Sequence, residues 1–223
     1  DDQIALVRER SDLRGIWLVI HAWGVSFAAM AMFVYFPNPL TFILAVAIIG
    51  GRQLGLAVLM HDAAHGVLCK SPKLNEFVGQ WLCAYPLMAE TWSYRRYHLK
   101  HHNSTQQADD PDLILSAPFP ITKKSFRRKM WRDITGQTGY QQRKAQILSA
   151  FGSADMPVGA HIKRYWSKLG RATLTHLILF AGLAATGHWY LYFVLWLLPF
   201  LTWHQVITRI RNIAEHAMVP DSD

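Results

Sequence analysis

Two long apolar stretches near the start of the chain limit its possible folds more than any other feature. Residues 16–36 and 40–60 are almost wholly apolar, and Pro37-Asn38-Pro39 separates them. A helix of this length rises roughly 30 Å, which is the hydrocarbon thickness of a bilayer. A helix cannot continue through the proline-rich break. The stretches therefore predict a hairpin of two membrane-spanning helices joined by a short turn.

A second pair of apolar stretches predicts another membrane hairpin. Residues 172–186 and 189–207 flank a turn at Gly187-His188. Residues 77–92 are too short and too interrupted to span, so we expect an interfacial or re-entrant piece that returns the chain to the same side. The predicted fold is all-α: one domain over residues 1–223, with four transmembrane helices in two hairpins.

The distribution of basic residues predicts the orientation of this bundle. Residues 93–171 hold fifteen of the 23 lysines and arginines but only five acidic residues, whereas the turns 37–39 and 187–189 hold no lysine or arginine. Cytoplasmic loops of membrane proteins are rich in these residues, so the 93–171 loop is predicted to be cytoplasmic. The basic run 123–129 is expected to face anionic lipid headgroups or an acidic redox partner. Nucleic acid is not an expected partner, because no nucleic-acid-binding fold accompanies the charge.

Three groups of polar residues beside the apolar stretches have the spacing of metal ligands. They are His61 and His65; His98, His101 and His102; and Asn212 and His216. Helical spacings of three and four place side chains on one face, about one turn apart. Neutral imidazole is the commonest metal ligand and suits iron, zinc or copper. Because the predicted topology brings all three groups to one side, they predict a single metal site at several helix ends. The four-helix bundle is therefore expected to carry a cytoplasmic histidine-rich cap that binds metal.

Other polar residues in or near the apolar stretches have structural interpretations. His21, His176, His188 and His204 are expected to pack in or near the spans, and His161 to be exposed. Arg52 either snorkels towards the interface or contacts a substrate or partner. Gly51 and Gly55 have the spacing of close helix packing. Cys69 and Cys83 are expected to be buried, reduced thiols.

These motifs resemble the integral-membrane fatty acid desaturase family. The resemblance rests on His61-xxx-His65, His98-xx-His101-His102, the following Asp109-Asp110-Pro111-Asp112 and the apolar hairpins, and it covers nearly the whole chain. It implies a non-haem centre of two iron ions. The ligands that it implies are His61, His65, His98, His101, His102 and His216, with Asn212 reaching a metal through water. The implied hydrogen-bond acceptors for the imidazoles are Asp62, Asp109, Asp110, Asp112 and Glu215.

The family also carries a third box of the form His-xx-His-His after the helix that holds Asn212 and His216. Here the sequence stops at Asp223, and its ending Pro-Asp-Ser-Asp resembles a loop in the middle of a protein. Either the sequence is a fragment cut before that box, which is what we expect, or the metal site is incomplete.

The resemblance implies an O2-dependent oxidoreductase that inserts a double bond into a fatty acyl lipid. Electrons would come from a donor such as ferredoxin or cytochrome b5. A hydroxylase or carotenoid ketolase of the same superfamily uses similar histidine boxes and is an alternative. From a different class, a membrane electron-transfer protein with bis-histidine haem could use His21, His176 and His204 as ligands.

Overall fold

The chain folds as a bundle of helices whose first two members form the predicted hairpin. The computed structural model describes residues 10–105, 107–116 and 120–216. Helix α1 is Asp12–Tyr35 and helix α2 is Pro39–Ala64. The Asn38 side chain accepts hydrogen bonds from the backbone N–H groups of Leu40 and Thr41, and the Thr41 hydroxyl accepts one from the Asn38 N–H. This capping box pairs N–H groups that the start of a helix leaves without partners.

Helix α2 continues beyond the predicted end at residue 60. His61 therefore lies on its last turn, and His65 is the C-cap residue that follows Ala64. The extension places the first pair of histidines on a rigid helix end rather than on a loop.

The segment after this hairpin is short, irregular and buried. Helix α3, Pro72–Phe77, continues into a π-helical stretch, Val78–Ala84, and a 3-10 turn, Tyr85–Leu87. The predicted return of the chain without a full crossing is consistent with these lengths. Most of this segment is buried and packs on α2, and its interfacial or re-entrant position stays a prediction. At Gly79 the approach is so close that a Cβ atom would lie 2.3 Å from the Cβ of Ala63.

Replacing Gly79 with alanine should destabilise the fold by about 1–3 kcal/mol, because the added methyl group forces α2 away from this segment. The matched control is Gly55→Ala in the interior of α2, where a Cβ meets no atom within 4 Å. That variant should stabilise the protein by about 0.4–1 kcal/mol through the unfolded chain. Thermal unfolding in detergent measures both changes. Equal shifts for the two variants would contradict the close packing.

The region predicted as a cytoplasmic loop is mainly helical. It contains α4, Thr91–Asn103; α5, Leu113–Ser116; α6, Lys123–Ile134; and α7, Gln137–Phe151. The basic run 123–129 forms the first part of α6, which also exposes Trp131. Long apolar runs mark membrane spans, but polar helices lack that signal, so the sequence indicated only that this region does not span.

The last part of the chain supports one of the two spans predicted there. Helix α8, Val158–Ala185, is followed by a π-helical stretch, Tyr192–Leu197; α9, Leu198–Leu201; and α10, Trp203–His216. Among the described residues, three helical segments are long and apolar enough to cross a membrane: α1, α2 and the run Tyr192–Glu215.

The predicted span 172–186 is the second half of α8, whose first half carries Lys163, Arg164 and Lys168. The apolar half rises roughly 20 Å, less than the hydrocarbon thickness. The four-span topology therefore stays a prediction.

A buried hydrogen bond and close packing hold the last part of the chain against α2. The Gln53 side chain, fully buried on α2, donates to the Trp196 carbonyl at 2.8 Å. Close helix packing occurs at Gly50, where a Cβ would lie 2.8 Å from the Trp203 ring. The packing expected at Gly51 and Gly55 is not found, since both glycines face open space.

Candidate metal centre

Arg95 brings the first two histidine motifs together. This residue lies on α4, and its guanidinium donates to the carbonyls of Ala63 and Ala64 at 2.9 and 2.7 Å. Those carbonyls belong to the last turn of α2, where a helix leaves acceptors without partners. Glu76, which lies on α3, forms an ion pair with the same guanidinium. The end of α2 is therefore attached to α4 within one turn of both histidine motifs.

Four histidines converge where these helices meet. One ring nitrogen from each of His61, His65, His98 and His102 lies within 4.8 Å of the others. His98 is central: its Nε2 lies 2.9 Å from Nε2 of His65 and 2.9 Å from Nε2 of His102. The cluster combines two motifs that are more than thirty residues apart in sequence, which confirms that both lie on one side of the bundle.

The surroundings of His65 and His98 favour neutral imidazole rings. Burial, followed by repulsion from His61 and the other histidines, lowers the pKa of His98 to about 4. Burial and then repulsion from His61 and His102 also lower the pKa of His65. A neutral ring keeps a lone pair on one nitrogen, and that lone pair is what a metal ion binds. At neutral pH His65 and His98 can therefore bind a cation without first losing a proton.

The spacing of the four nitrogens fits a single metal ion. Nitrogen ligands about 2.1 Å from a metal lie about 3.0 Å apart at right angles and about 4.2 Å apart on opposite sides. The two 2.9 Å separations match the first value, and the 4.8 Å limit requires only a small contraction around an ion. Four imidazoles without a nearby thiolate suit iron, zinc or copper.

His101 lies beside this cluster and is held by carboxylates. Its Nδ1 lies 2.8 Å from Asp110 and 3.6 Å from Asp112, and all three side chains are buried. A ring that donates from Nδ1 to a carboxylate carries its lone pair on Nε2, and such a partner raises the basicity of a ligating histidine. Asp110 also accepts the backbone N–H of Asp112, and Asp112 accepts the Tyr97 hydroxyl. Two of the aspartates implied by the resemblance, Asp110 and Asp112, thus orient His101.

Helix α10 completes the walls of one cavity around these rings. The cavity has a volume of about 490 Å³ and brings Asn212 to the same space as His61, His98, His101 and His102. Its other walls include Ala57 and Met60 of α2, and Tyr94 and Tyr97 of α4. The side chain of His216 lies outside the described residues, as do residues 217–223, on which the fragment expectation depends.

Of the other predicted site residues, one contacts a histidine of the cluster and the rest have different contacts. Asp62 lies 3.2 Å from Nδ1 of His61, consistent with the role of acceptor implied for it. Asp109 accepts the Ser104 hydroxyl, and Glu215 pairs with Arg211, so neither is observed with an imidazole in the described part of the chain. Arg52 is half-buried and is not among the residues that line the cavity.

Two residues of the site were missed by the sequence analysis. Arg95 carried no motif, and only its position in a basic stretch beside the second histidine group could have drawn attention to it. Tyr94 stacks on His98 with ring centroids 5.1 Å apart and an interplanar angle of 12°. Its place, four residues before His98, is a helical neighbour position that would have been consistent with this contact.

Comparisons with known proteins agree with this geometry. The model of the family described as "Fatty acid desaturase" matches residues 37–223. Dihydrorhizobitoxine desaturase of Bradyrhizobium elkanii is 29% identical over 187 residues, which cover 81% of this chain and 53% of that protein. Beta-carotene ketolase of Paracoccus sp. (strain PC1) is 32% identical over 112 residues, which cover 46% of this chain and 40% of that protein. The chain spans about half the length of the curated relatives it matches.

Proposed function

This chain belongs to the fatty acid desaturase family, and we propose that it is the histidine-box part of an O2-dependent membrane desaturase that inserts a double bond into a fatty acyl lipid. The observation that carries the proposal is the cluster of His61, His65, His98 and His102, whose ligand atoms fit a metal ion. The acyl substrate comes from the family description, since the names of the two relatives specify other compounds.

We assign the metal as non-haem iron and the centre as di-iron. The clustered histidines would hold iron, and His101 and Asn212 are the further groups on the cavity wall that would complete a second position, together with His216. Bound iron would use O2 to remove hydrogen from an unactivated CH2 group, which no side chain can do alone.

The chain itself would bind and orient the substrate. Ala57, Met60 and Tyr94 give the cavity an apolar wall next to the histidines, where an acyl chain can lie without water. Asp110 fixes the orientation of His101, so that the ring does not turn when the cavity is filled. The apolar wall and the fixed ring would together hold one CH2 group beside the metal.

Replacing Asp110 with asparagine should weaken iron binding by about 10–100-fold, because partners of metal-ligating histidines have effects of this size. The expected cause is loss of the carboxylate that faces Nδ1 of His101. Iron titration of the purified protein measures the change. The matched control is Asp155→Asn, which alters an exposed carboxylate far along the chain and should leave the affinity unchanged. Equal affinities for the two variants would show that Asp110 has no such role.

Oxygen insertion is the alternative reaction. The similarity to a ketolase is the observation that supports it. That relative covers less of this chain than the desaturase does. Mass spectrometry of lipids from a host that expresses the protein separates the reactions, because a double bond removes two hydrogens whereas a hydroxyl or keto group adds oxygen. A new unsaturated acyl chain supports the proposal, and an oxygenated product with no unsaturated one would replace it with the alternative.

A bis-histidine haem site is less well supported. His21 is exposed, His176 lies 2.9 Å from the Tyr192 hydroxyl, and His204 packs beside Phe200. A Soret band in the purified protein would favour haem, whereas bound iron without that band favours the histidine cluster.

The partners follow from the same proposal. O2 and an electron donor, such as ferredoxin or cytochrome b5, are required, and the basic run 123–129 offers a surface for an acidic donor or for anionic headgroups. No role is proposed for nucleic acid. We place the metal site on the cytoplasmic face of a four-span protein, because the basic residues concentrate on the segments that surround it.

A further inference from the structure

A second cavity lies away from the metal centre, between α7, α8 and the segment that runs from Tyr192 to Leu201. Its volume is about 490 Å³, and none of the residues that line it also lines the cavity of the histidines. Aromatic and aliphatic side chains make up most of its wall, including Phe180, Phe193 and Leu197. A cavity of this size and character is typical of a site for an apolar ligand.

One cationic side chain, Arg143 of α7, lines this mostly apolar space. Its Nη1 donates to Gln146, which donates in turn to the Met88 carbonyl, and its guanidinium carbon lies 5.3 Å from the centre of the Phe200 ring. These contacts fix one end of the guanidinium. Its Nε is buried and has no hydrogen-bond partner among the residues that the structure describes.

The charge of Arg143 is not balanced within the described part of the chain. No carboxylate forms an ion pair with it there. His176 and His204 are close enough to sense its charge, but both are bases and cannot neutralise it. Burial accordingly lowers the pKa of the Arg143 guanidinium. A partly buried cation without a counterion is costly, and an anionic ligand would remove that cost.

The cavity is open to an acyl chain from the side. Leu177 of α8, Phe193 and Tyr140 line it and are 54%, 46% and 57% exposed. Leu177 and Phe193 belong to the apolar stretches that the sequence predicts to lie in the membrane, so a lipid could reach the cavity laterally. The guanidinium of Arg143, with its buried Nε, lines the same cavity.

We propose that this arginine cavity binds an anionic amphiphile, with one acyl chain among the aromatic side chains and its acidic group paired with Arg143. The acidic group would be the carboxylate of a fatty acid or the phosphate of an anionic phospholipid, since both form charge-assisted hydrogen bonds with a guanidinium. The site is separate from the metal centre, and the proposal holds whichever reaction that centre performs.

Native mass spectrometry of the full chain, delipidated in a neutral detergent, tests the proposal. The probes are oleate, dioleoyl phosphatidylglycerol and dioleoyl phosphatidylcholine. At least one of the two anionic probes should bind about tenfold more tightly than phosphatidylcholine, the gain expected from one charge-assisted pair. Preference for oleate identifies a fatty acid site, and preference for phosphatidylglycerol identifies a phospholipid site. Equal binding of all three probes would overturn the proposal.

Variants locate the binding. Arg143→Gln should reduce the affinity for the preferred anionic probe about tenfold, whereas Lys144→Gln, which removes an exposed charge on the next residue, should not change it. Leu177→Trp should obstruct the cavity, and Leu174→Trp is its control on an exposed position that does not line it. If Arg143→Gln fails to fold, the tryptophan pair decides the outcome. Unchanged binding in both Leu177→Trp and a folded Arg143→Gln variant refutes the site.

Discussion

Under the proposed function, replacing His98 with alanine should abolish iron binding and, with it, lipid desaturation. The Nε2 of His98 lies 2.9 Å from Nε2 of both His65 and His102, so its loss removes the nitrogen that makes both of these close approaches. Even outer partners of metal ligands change affinity by about 10–100-fold, so removal of a central ligand should cost more than about a hundredfold. Iron per chain after purification, together with product analysis of host lipids, measures the effect.

The control for this variant is His21→Ala. His21 is an exposed histidine on α1 that takes no part in the cluster, so its loss should leave the iron content unchanged. The thermal stability of both variants shows whether they are folded. A folded His98→Ala protein with its full iron content would place the metal site elsewhere.

Replacing Asp133 with alanine should lower the free energy of unfolding by about 3–5 kcal/mol, the usual cost of removing one partner of a buried ion pair. Asp133 is fully buried at the end of α6. It accepts hydrogen bonds from the Arg209 guanidinium, one of them at 3.0 Å, and from the Thr138 hydroxyl at 2.6 Å. Without this carboxylate, the positive charge of Arg209 stays between α6 and α10 with no counterion.

The matched control is Glu215→Ala, which breaks the more exposed pair between Glu215 and Arg211 on α10. Exposed ion pairs contribute about 0–1 kcal/mol to stability. The free energy of unfolding of this variant should therefore be almost that of the unmodified protein. Unfolding in detergent, followed by circular dichroism, compares the two. A loss of less than about 1 kcal/mol for Asp133→Ala would show that Arg209 finds another partner or reaches water.

The Asp133 pair also bears on the metal centre. Arg209 precedes Asn212 by three residues on α10, so the pair fixes the helix that presents Asn212 to the cavity. We therefore expect Asp133→Ala to weaken iron binding as well, and less strongly than His98→Ala does.

The amino-acid sequence by itself determined the features that arise from local periodicity. The uncharged length of residues 16–36, and the capping residues around Asn38, require a helical hairpin in any environment that buries them. The spacing of His61 and His65 likewise requires both rings to leave one side of α2. Local hydrogen bonding and side-chain direction decide such features, and both depend only on neighbouring residues.

The tertiary structure alone decided which histidines meet. Successive residues of a helix are turned by about 100°, so His101 and His102 project on opposite sides of His98. The hydrogen bonds from Arg95 to the end of α2 fix how α2 is oriented relative to α4. His102 therefore joins the cluster, whereas His101 faces Asp110. The counterion of Arg209 and the unbalanced charge of Arg143 were equally invisible in sequence. These arrangements depend on residues that are far apart along the chain. Local sequence patterns do not show which distant residues come into contact when the chain folds.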